Sequence, residues 1–422
     1  MNNQELMARR QAIMPRGVGQ AHAIFVDHAK NAEVWDVEGR RFIDFAGGIA
    51  VLNTGHRNDK VIAAVKAQLD LYTHTCFQVI AYEPLVELAE RLCQLAPGST
   101  PKKAMFLTTG AEAVENAIKI ARVATKRSGV IAFGGGFHGR TMMGMALTGK
   151  VVPYKAGFGP FPGEIFHAPF PNALHGVTVE DALHGIEQIF KNDIEPSRVA
   201  AMIIEPVQGE GGFTVAPKEF MQALRKLCDQ HGILLIADEI QTGAGRTGTF
   251  FASEQFDIEP DMITLAKSMA GGFPISALIG KAAVMDAPEP GGLGGTYAGS
   301  PLGAAAALAV LDVFAEDKLL DRSKAVGEHL MTALRQLQTD YPCIAEVRGL
   351  GAMVAFEVFN AQGKPDGDRV KKLVTLAAQK GLILLSCGSY ANVVRILVPL
   401  TASNALLDEG LAIIAECLKE LA

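Results

Sequence analysis

Asp238 stands at the end of a wholly apolar run and Lys267 just after a largely apolar one, and that is where the sequence first suggests chemistry. The run 233–237 leads into Asp238-Glu239-Ile240-Gln241. The run Met262–Leu265 leads into Ala266-Lys267-Ser268, with Gly271-Gly272 shortly after. A carboxylate at the end of an apolar strand is costly to bury without a cationic partner. A protonated pyridine nitrogen would serve. So would a magnesium ion, since an apolar run followed by Asp-Glu also has the form of a nucleotide-binding metal motif. A lysine among apolar and small residues holds its proton less tightly, which frees the amine to attack a carbonyl and form an imine.

Three more runs end in loops with similar potential. After 104–107 comes Thr108-Thr109-Gly110-Ala111-Glu112, opening a helix. Free N–H groups there suit a phosphate, and N-capping by Thr108 or Thr109 explains the residues equally well. After 130–133 comes Gly134-Gly135-Gly136-Phe137-His138-Gly139-Arg140, whose glycines satisfy Gly-x-Gly-x-x-Gly. A dinucleotide site also needs an acid about 20 residues on, where this chain has the loop Tyr154-Lys155-Ala156-Gly157. The alternative is a loop that lays Phe137 over a flat ring and aims Arg140 at a carboxylate, which a guanidinium grips through two parallel bonds. After 200–204 comes Glu205-Pro206-Val207-Gln208-Gly209-Glu210, two acids in a Gly/Pro-rich loop, for which a solvated turn is the plain alternative. Arg395, within Val393-Val394-Arg395-Ile396, needs an acidic partner if it points inward. Gly144-Met145-Ala146-Leu147-Thr148-Gly149-Lys150-Val151 nearly spells an ATP-binding loop. However, Val151 replaces the metal-binding hydroxyl, and Pro153 interrupts the helix that should follow.

The runs that carry these loops are continuous rather than alternating, as expected of strands covered on both faces. Amphipathic stretches lie between them: Val114, Ala117, Ile118 and Ala121 share one helical face, as do Phe220, Leu224 and Leu227. The fold class is therefore α/β, with a mainly parallel central sheet whose ligands sit beyond the carboxyl ends of the strands. The last quarter has another texture: helical pieces over 301–337, strands at 345–358, 382–386 and 393–398, a helix at 369–380 and a terminal helix from 402. A strand–turn–strand unit spans 34–44. At 422 residues the chain exceeds one ordinary core. We divide it into an N-terminal segment, 1–55, packing with the small domain; a large domain, 56–305, bearing the loops above; and a small α+β domain, 306–422.

The 39 basic and 45 acidic residues are intermixed, which speaks against nucleic acid as a partner. The longest apolar run, 302–311, is too short to span a bilayer, and the first residues lack a secretion signal's apolar core. A soluble, cytoplasmic protein is expected. Six scattered cysteines without Cys-x-x-Cys, and no His-Glu-x-x-His, argue against a disulfide framework and a catalytic metal.

Taken in order, these motifs resemble those of the fold-type I, class III aminotransferases, and among them the bacterial 4-aminobutyrate and 5-aminovalerate enzymes. The likeness runs through Asp44-Phe45-Ala46-Gly47-Gly48-Ile49, Thr73-His74-Thr75-Cys76-Phe77-Gln78, Gly294-Gly295-Thr296-Tyr297 and Arg348-Gly349-Leu350-Gly351, and covers almost the whole chain. It implies pyridoxal 5′-phosphate (PLP) as cofactor, carried by Lys267 as a Schiff base, with Lys267 also shuttling the proton. Asp238 would pair with the pyridine nitrogen and Gln241 would bond the phenolic oxygen. Phe137 would stack on the ring, and Gly110 and Ala111 would hold the phosphate. Thr296 would reach the phosphate from a neighbouring subunit. His138, Glu205 and Ile240 complete the cofactor's surroundings. Substrate would meet Ile49, Gln78, Arg140, Glu210 and Arg395. Arg140 would take the distal carboxylate and Arg395 the α-carboxylate of 2-oxoglutarate, with Glu210 covering Arg395 when the substrate lacks one.

The implied reaction is ping-pong transamination from an ω-amino acid to 2-oxoglutarate, of the 4-aminobutyrate type, in a homodimer or dimer of dimers with shared sites. Rival readings are an ornithine or acetylornithine transaminase, a racemase or an aminomutase on the same fold. A non-catalytic binder of phosphate ligands is the rival from another class. The chain departs from the pattern at Ala111, where a serine is common, and at Gly134-Gly135-Gly136.

Overall fold

The computed structural model describes residues 1–421. Its centre is a seven-stranded sheet: β1 (Lys102–Leu107), β2 (Gly129–Phe133), β3 (Ile165–Ala168), β4 (Val199–Ile204), β5 (Leu234–Asp238), β6 (Met262–Leu265) and β7 (Ser276–Lys281), in the spatial order β1-β7-β6-β5-β4-β2-β3. Strand β7 runs antiparallel to both neighbours, and the other six run parallel to one another. Every residue of β2, β4 and β6 is buried, because helices cover both faces of such a sheet. The five strands expected from apolar runs are present, with ends shifted by at most two residues.

Strands β3 and β7 were not expected. β3 is a short edge strand with only Ala168 buried, so it lacks a continuous apolar run. β7 is reached from β6 without a crossover helix, as antiparallel neighbours allow, and so falls outside the strand–helix alternation that marks the rest.

The helix α1 (Gly110–Thr125) follows β1 directly. Thr109 caps it by accepting from Glu112 N, and the Glu112 carboxylate accepts from the N–H groups of Thr108 and Thr109. Its apolar face, including Val114, Ala117, Ile118 and Ala121, is buried. The axis therefore points its N-terminus at the carboxyl edge of the sheet.

The C-terminal part forms a second, antiparallel sheet, β8 (Ile344–Leu350), β9 (Met353–Val358), β10 (Leu385–Cys387) and β11 (Val393–Ile396), ordered β8-β9-β11-β10. The N-terminal strands Val26–Lys30, Glu33–Asp36 and Arg41–Asp44 form a third sheet, completed by Leu382–Ile383. Main-chain pairing thus joins the N-terminal segment to the C-terminal part. The division drawn between 305 and 306 falls inside the helix α2 (Pro301–Glu316), so the chain crosses it without a linker.

Arg246 joins these parts. It is fully buried, and its guanidinium donates to the Asn53 side chain, to Val398 O at 2.8 Å and to Ala352 O at 3.3 Å. Removing it leaves buried carbonyls without donors, each costing about 1–3 kcal/mol. Arg246→Ala is expected to lower the apparent melting temperature by about 5 °C or more. An unchanged midpoint in a thermal scan would show that the joint contributes nothing.

Candidate active site

A cavity of about 340 Å³ opens at the carboxyl edge of the central sheet, lined by the residues that follow β1, β2, β4, β5 and β6. It brings together ten of the residues singled out from the sequence: Gly110, Ala111, Phe137, His138, Glu205, Glu210, Asp238, Ile240, Gln241 and Lys267. Asp238 and Lys267 come from adjacent parallel strands, with Asp238 in register with Thr264.

The two groups receive opposite electrostatic treatment. Asp238 is buried and fully partnered: His138 Nδ1 lies 2.7 Å from Oδ2, and Oδ1 accepts from Thr264 Oγ1 at 2.9 Å and Ile240 N at 3.2 Å. A carboxylate only accepts, so the facing His138 nitrogen carries hydrogen. Burial works against charge on His138, but the bond to Asp238 and the charges of Asp238 and Glu205 together outweigh it and raise the imidazole's pKa. For Lys267 burial prevails: although the residue as a whole is only half-buried, desolvation of its amine lowers the pKa to about 8, with Glu210 opposing and Arg395 assisting. Its backbone adopts a left-handed φ of 45°, a strained state for a lysine, of the kind concentrated at functional sites.

Glu205 is also buried. It accepts from Phe137 N and Gly209 N, both at 2.8 Å, and so fixes the loop that presents the Phe137 ring. Burial, reinforced by Asp238 and opposed by His138, raises its pKa to about 7.

A second, larger pocket of about 870 Å³ contains Ile49 and Arg395. The buried Arg395 is paired with Glu210, so this ion pair spans from the inner cavity to the outer pocket. Burial opposes charge on both partners, yet the pairing lowers the Glu210 pKa and, with Cys387 nearby, raises that of Arg395. Arg140 lies at the rim, exposed, with its guanidinium 4.8 Å from the Tyr154 ring centroid and 5.9 Å from that of Phe137.

Gln78 and Thr296 are not brought to this cavity. Both are exposed, and Gln78 donates to Leu293 O at 3.0 Å beside the loop that carries Thr296. The near-match to an ATP-binding loop is consumed internally: Gly149 N donates to Gly136 O and Lys150 Nζ to Gly388 O, each at 2.8 Å. Among the described residues no group of three or more His, Cys, Asp or Glu could hold a metal ion, and no helix is long and apolar enough to cross a membrane.

Sequence reasoning missed Thr264 and Tyr154. Thr264 was legible as the one hydroxyl in the apolar run of β6, beside a strand ending in a carboxylate. Tyr154 lies in an irregular loop without a period, and nothing local marks it.

The family relationship is direct. The profile described as Aminotransferase class-III matches residues 13–418. The chain is 66% identical over 421 residues to a 5-aminovalerate aminotransferase of Pseudomonas putida, covering 100% of this chain and 99% of that one. It is 57% identical to a 4-aminobutyrate aminotransferase of Escherichia coli, covering 99% of each. Among solved structures, a Bacillus anthracis aminotransferase superposes with a TM-score of 0.92 at 27% identity, covering 99% of this chain and 98% of that one. The ornithine aminotransferase of Toxoplasma gondii superposes with a TM-score of 0.88 at 28% identity, covering 100% and 95%. The chain belongs to the class III aminotransferases, with their PLP fold-type I architecture, and is a PLP-dependent aminotransferase acting on amino-acid and keto-acid substrates.

The cavity fits that cofactor. Gln241 Oε1, in the lining of the cavity, is buried and has no hydrogen-bond partner among the described residues. The capping box of α1 uses the N–H groups of Thr108, Thr109 and Glu112 but not those of Gly110 and Ala111, which leaves two donors at a helix start, as a phosphate requires. A Cβ at Gly110 would come 2.8 Å from Ile240 Cδ1, so a larger residue there would press on the Ile240 side chain at the cavity wall.

Because the Lys267 pKa is lowered, its amine should acylate in the apoprotein with a midpoint near about 8, well below the ordinary lysine range. Competitive labelling followed by peptide mass spectrometry reads this directly. A midpoint near that of a free lysine would show that burial does not prepare the amine.

Proposed function

We propose that this enzyme transfers the amino group of an ω-amino acid, 4-aminobutyrate or 5-aminovalerate, to 2-oxoglutarate by a ping-pong mechanism, giving a semialdehyde and glutamate. The observation that carries the reading is the Glu210–Arg395 pair at the wall of the cavity shared by Lys267 and Asp238. The relatives named for 5-aminovalerate and 4-aminobutyrate support the donor class.

When bound, PLP supplies an electrophilic carbon for the donor's amine and a ring that withdraws electrons from the amino-bearing carbon. Asp238, held by hydrogen bonds from His138 and Thr264, would pair with the ring nitrogen. Gln241 would bond the phenolic oxygen, Phe137 would stack on the ring, and Gly110 and Ala111 would donate to the phosphate. Glu205 and Ile240 shape the surrounding wall. Lys267 Nζ would hold the cofactor, and its amine, with a pKa near working pH, is suited to move the proton at the donor's amino-bearing carbon. We assign Thr296 and Gln78, exposed on this chain, to the site of a second subunit in a homodimer.

Arg140 takes the carboxylate common to both substrates. An ω-amino acid has no α-carboxylate, and a bare buried guanidinium would penalise its binding; Glu210 neutralises Arg395 in that half-reaction. 2-Oxoglutarate brings its own α-carboxylate, which displaces Glu210. Ile49, in the same outer pocket as Arg395, lines the apolar stretch between the carboxylate sites.

Two measurements test this. In a donor panel with 2-oxoglutarate, 4-aminobutyrate and 5-aminovalerate should surpass β-alanine, ornithine and acetylornithine. In single-turnover experiments Arg395→Ala should slow the 2-oxoglutarate half-reaction by about 100-fold or more, and the amine half-reaction far less. Equal slowing of both would refute the two-guanidinium account.

A further inference from the structure

The loop 148–160 enters the site through Tyr154, which has no role in the scheme above. The residue is buried. Its hydroxyl donates to Glu210 Oε2 at 3.2 Å, while Glu210 Oε1 pairs with Arg395. Both oxygens of the covering carboxylate are therefore held. The Tyr154 ring lies 4.9 Å from that of Phe137, tilted by 59°, with the Arg140 guanidinium 4.8 Å from its centroid. One side chain thus touches the cover of one guanidinium and the face of the other.

The loop is tied to the Glu210 backbone through a shared residue: Lys150 Nζ donates to Gly388 O at 2.8 Å, and Gly388 N donates to Glu210 O at 2.9 Å. Burial and the neighbouring Glu210 raise the Tyr154 pKa to about 12, so the hydroxyl remains a donor throughout the working range.

We propose that Tyr154 is a positioning residue that holds Glu210 on Arg395 and so sets the balance between substrates with and without an α-carboxylate. The inference rests on the two-guanidinium reading. For an α-carboxylate to reach Arg395, Glu210 must leave both Arg395 and the Tyr154 hydroxyl. Without that hydroxyl, one buried carboxylate oxygen loses its donor, the covered state is less favourable, and Arg395 becomes easier to occupy. The ring acts separately from the hydroxyl, keeping Arg140 at the rim by cation–π contact.

Tyr154→Phe keeps the ring and removes only the hydroxyl, so packing is preserved. The probe is glutarate, a dicarboxylate with neither an amino nor an oxo group, titrated calorimetrically into holoenzyme. Tyr154→Phe should bind glutarate roughly five- to tenfold more tightly than the parent. Glu210→Gln serves as the reference, and should also tighten binding. The double variant should match Glu210→Gln alone, because the hydroxyl acts through the carboxylate. In turnover, kcat/KM for the ω-amino acid should fall by a similar factor while that for glutamate does not. Unchanged glutarate binding in Tyr154→Phe with tighter binding in Glu210→Gln would overturn the role of Tyr154 and leave the switch standing. A full additional effect in the double variant would also overturn it. No change in either variant would overturn the switch, and the inference with it.

Discussion

The site depends on one constraint: a single cavity must hold a desolvated amine and a hydrogen-bonded carboxylate at the same edge of the sheet. Both groups are buried, and burial alone would neutralise both. The structure separates them by partners. Asp238 receives hydrogen bonds from His138, Thr264 and Ile240, whereas Lys267 is left to desolvation, with its pKa near about 8.

The sheet makes this separation possible. Parallel strands β5 and β6 deliver Asp238 and Lys267 to the same edge, and their register sets Thr264 beside Asp238. The hydroxyl that bonds the carboxylate lies on β6, and the lysine follows two residues after that strand ends. The same edge receives the N-terminus of α1 and the loops after β2 and β4. Arg395 arrives from the C-terminal sheet, on β11, so the pair it makes with Glu210 bridges two separately built parts of the molecule.

Much of this was legible in the sequence because buried parallel strands are written as unbroken apolar runs, and the residue after each run must lie at the ligand edge. That rule located Lys267, Asp238, Glu205, Phe137 and Gly110 without reference to any relative. It failed for β7, which needs no crossover helix, and for β3, a four-residue edge strand interrupted by the exposed His167. The roles of Arg140, Glu210 and Arg395 came from resemblance, since nothing in local spacing predicts that Glu210 and Arg395, far apart in sequence, would meet. Thr264 left a faint mark as a hydroxyl inside an apolar run. Tyr154 left none, because its significance arises only when three loops converge. Gln78 and Thr296 have no place in the cavity of their own chain, and a single sequence does not say which surface faces another copy.

The segment 47–50 has a further consequence. Gly47, Gly48, Ile49 and Ala50 all have positive φ, from 49° to 64°, a left-handed turn held by Asp44 accepting from Ala46 N and Gly47 N and by Ser268 Oγ donating to Ala50 O at 2.6 Å. A β-branched residue is strained in that conformation. Trimming Ile49 to glycine would widen the outer pocket and relax its backbone together. At this one position, space for substrate and ease of the backbone are gained by the same change.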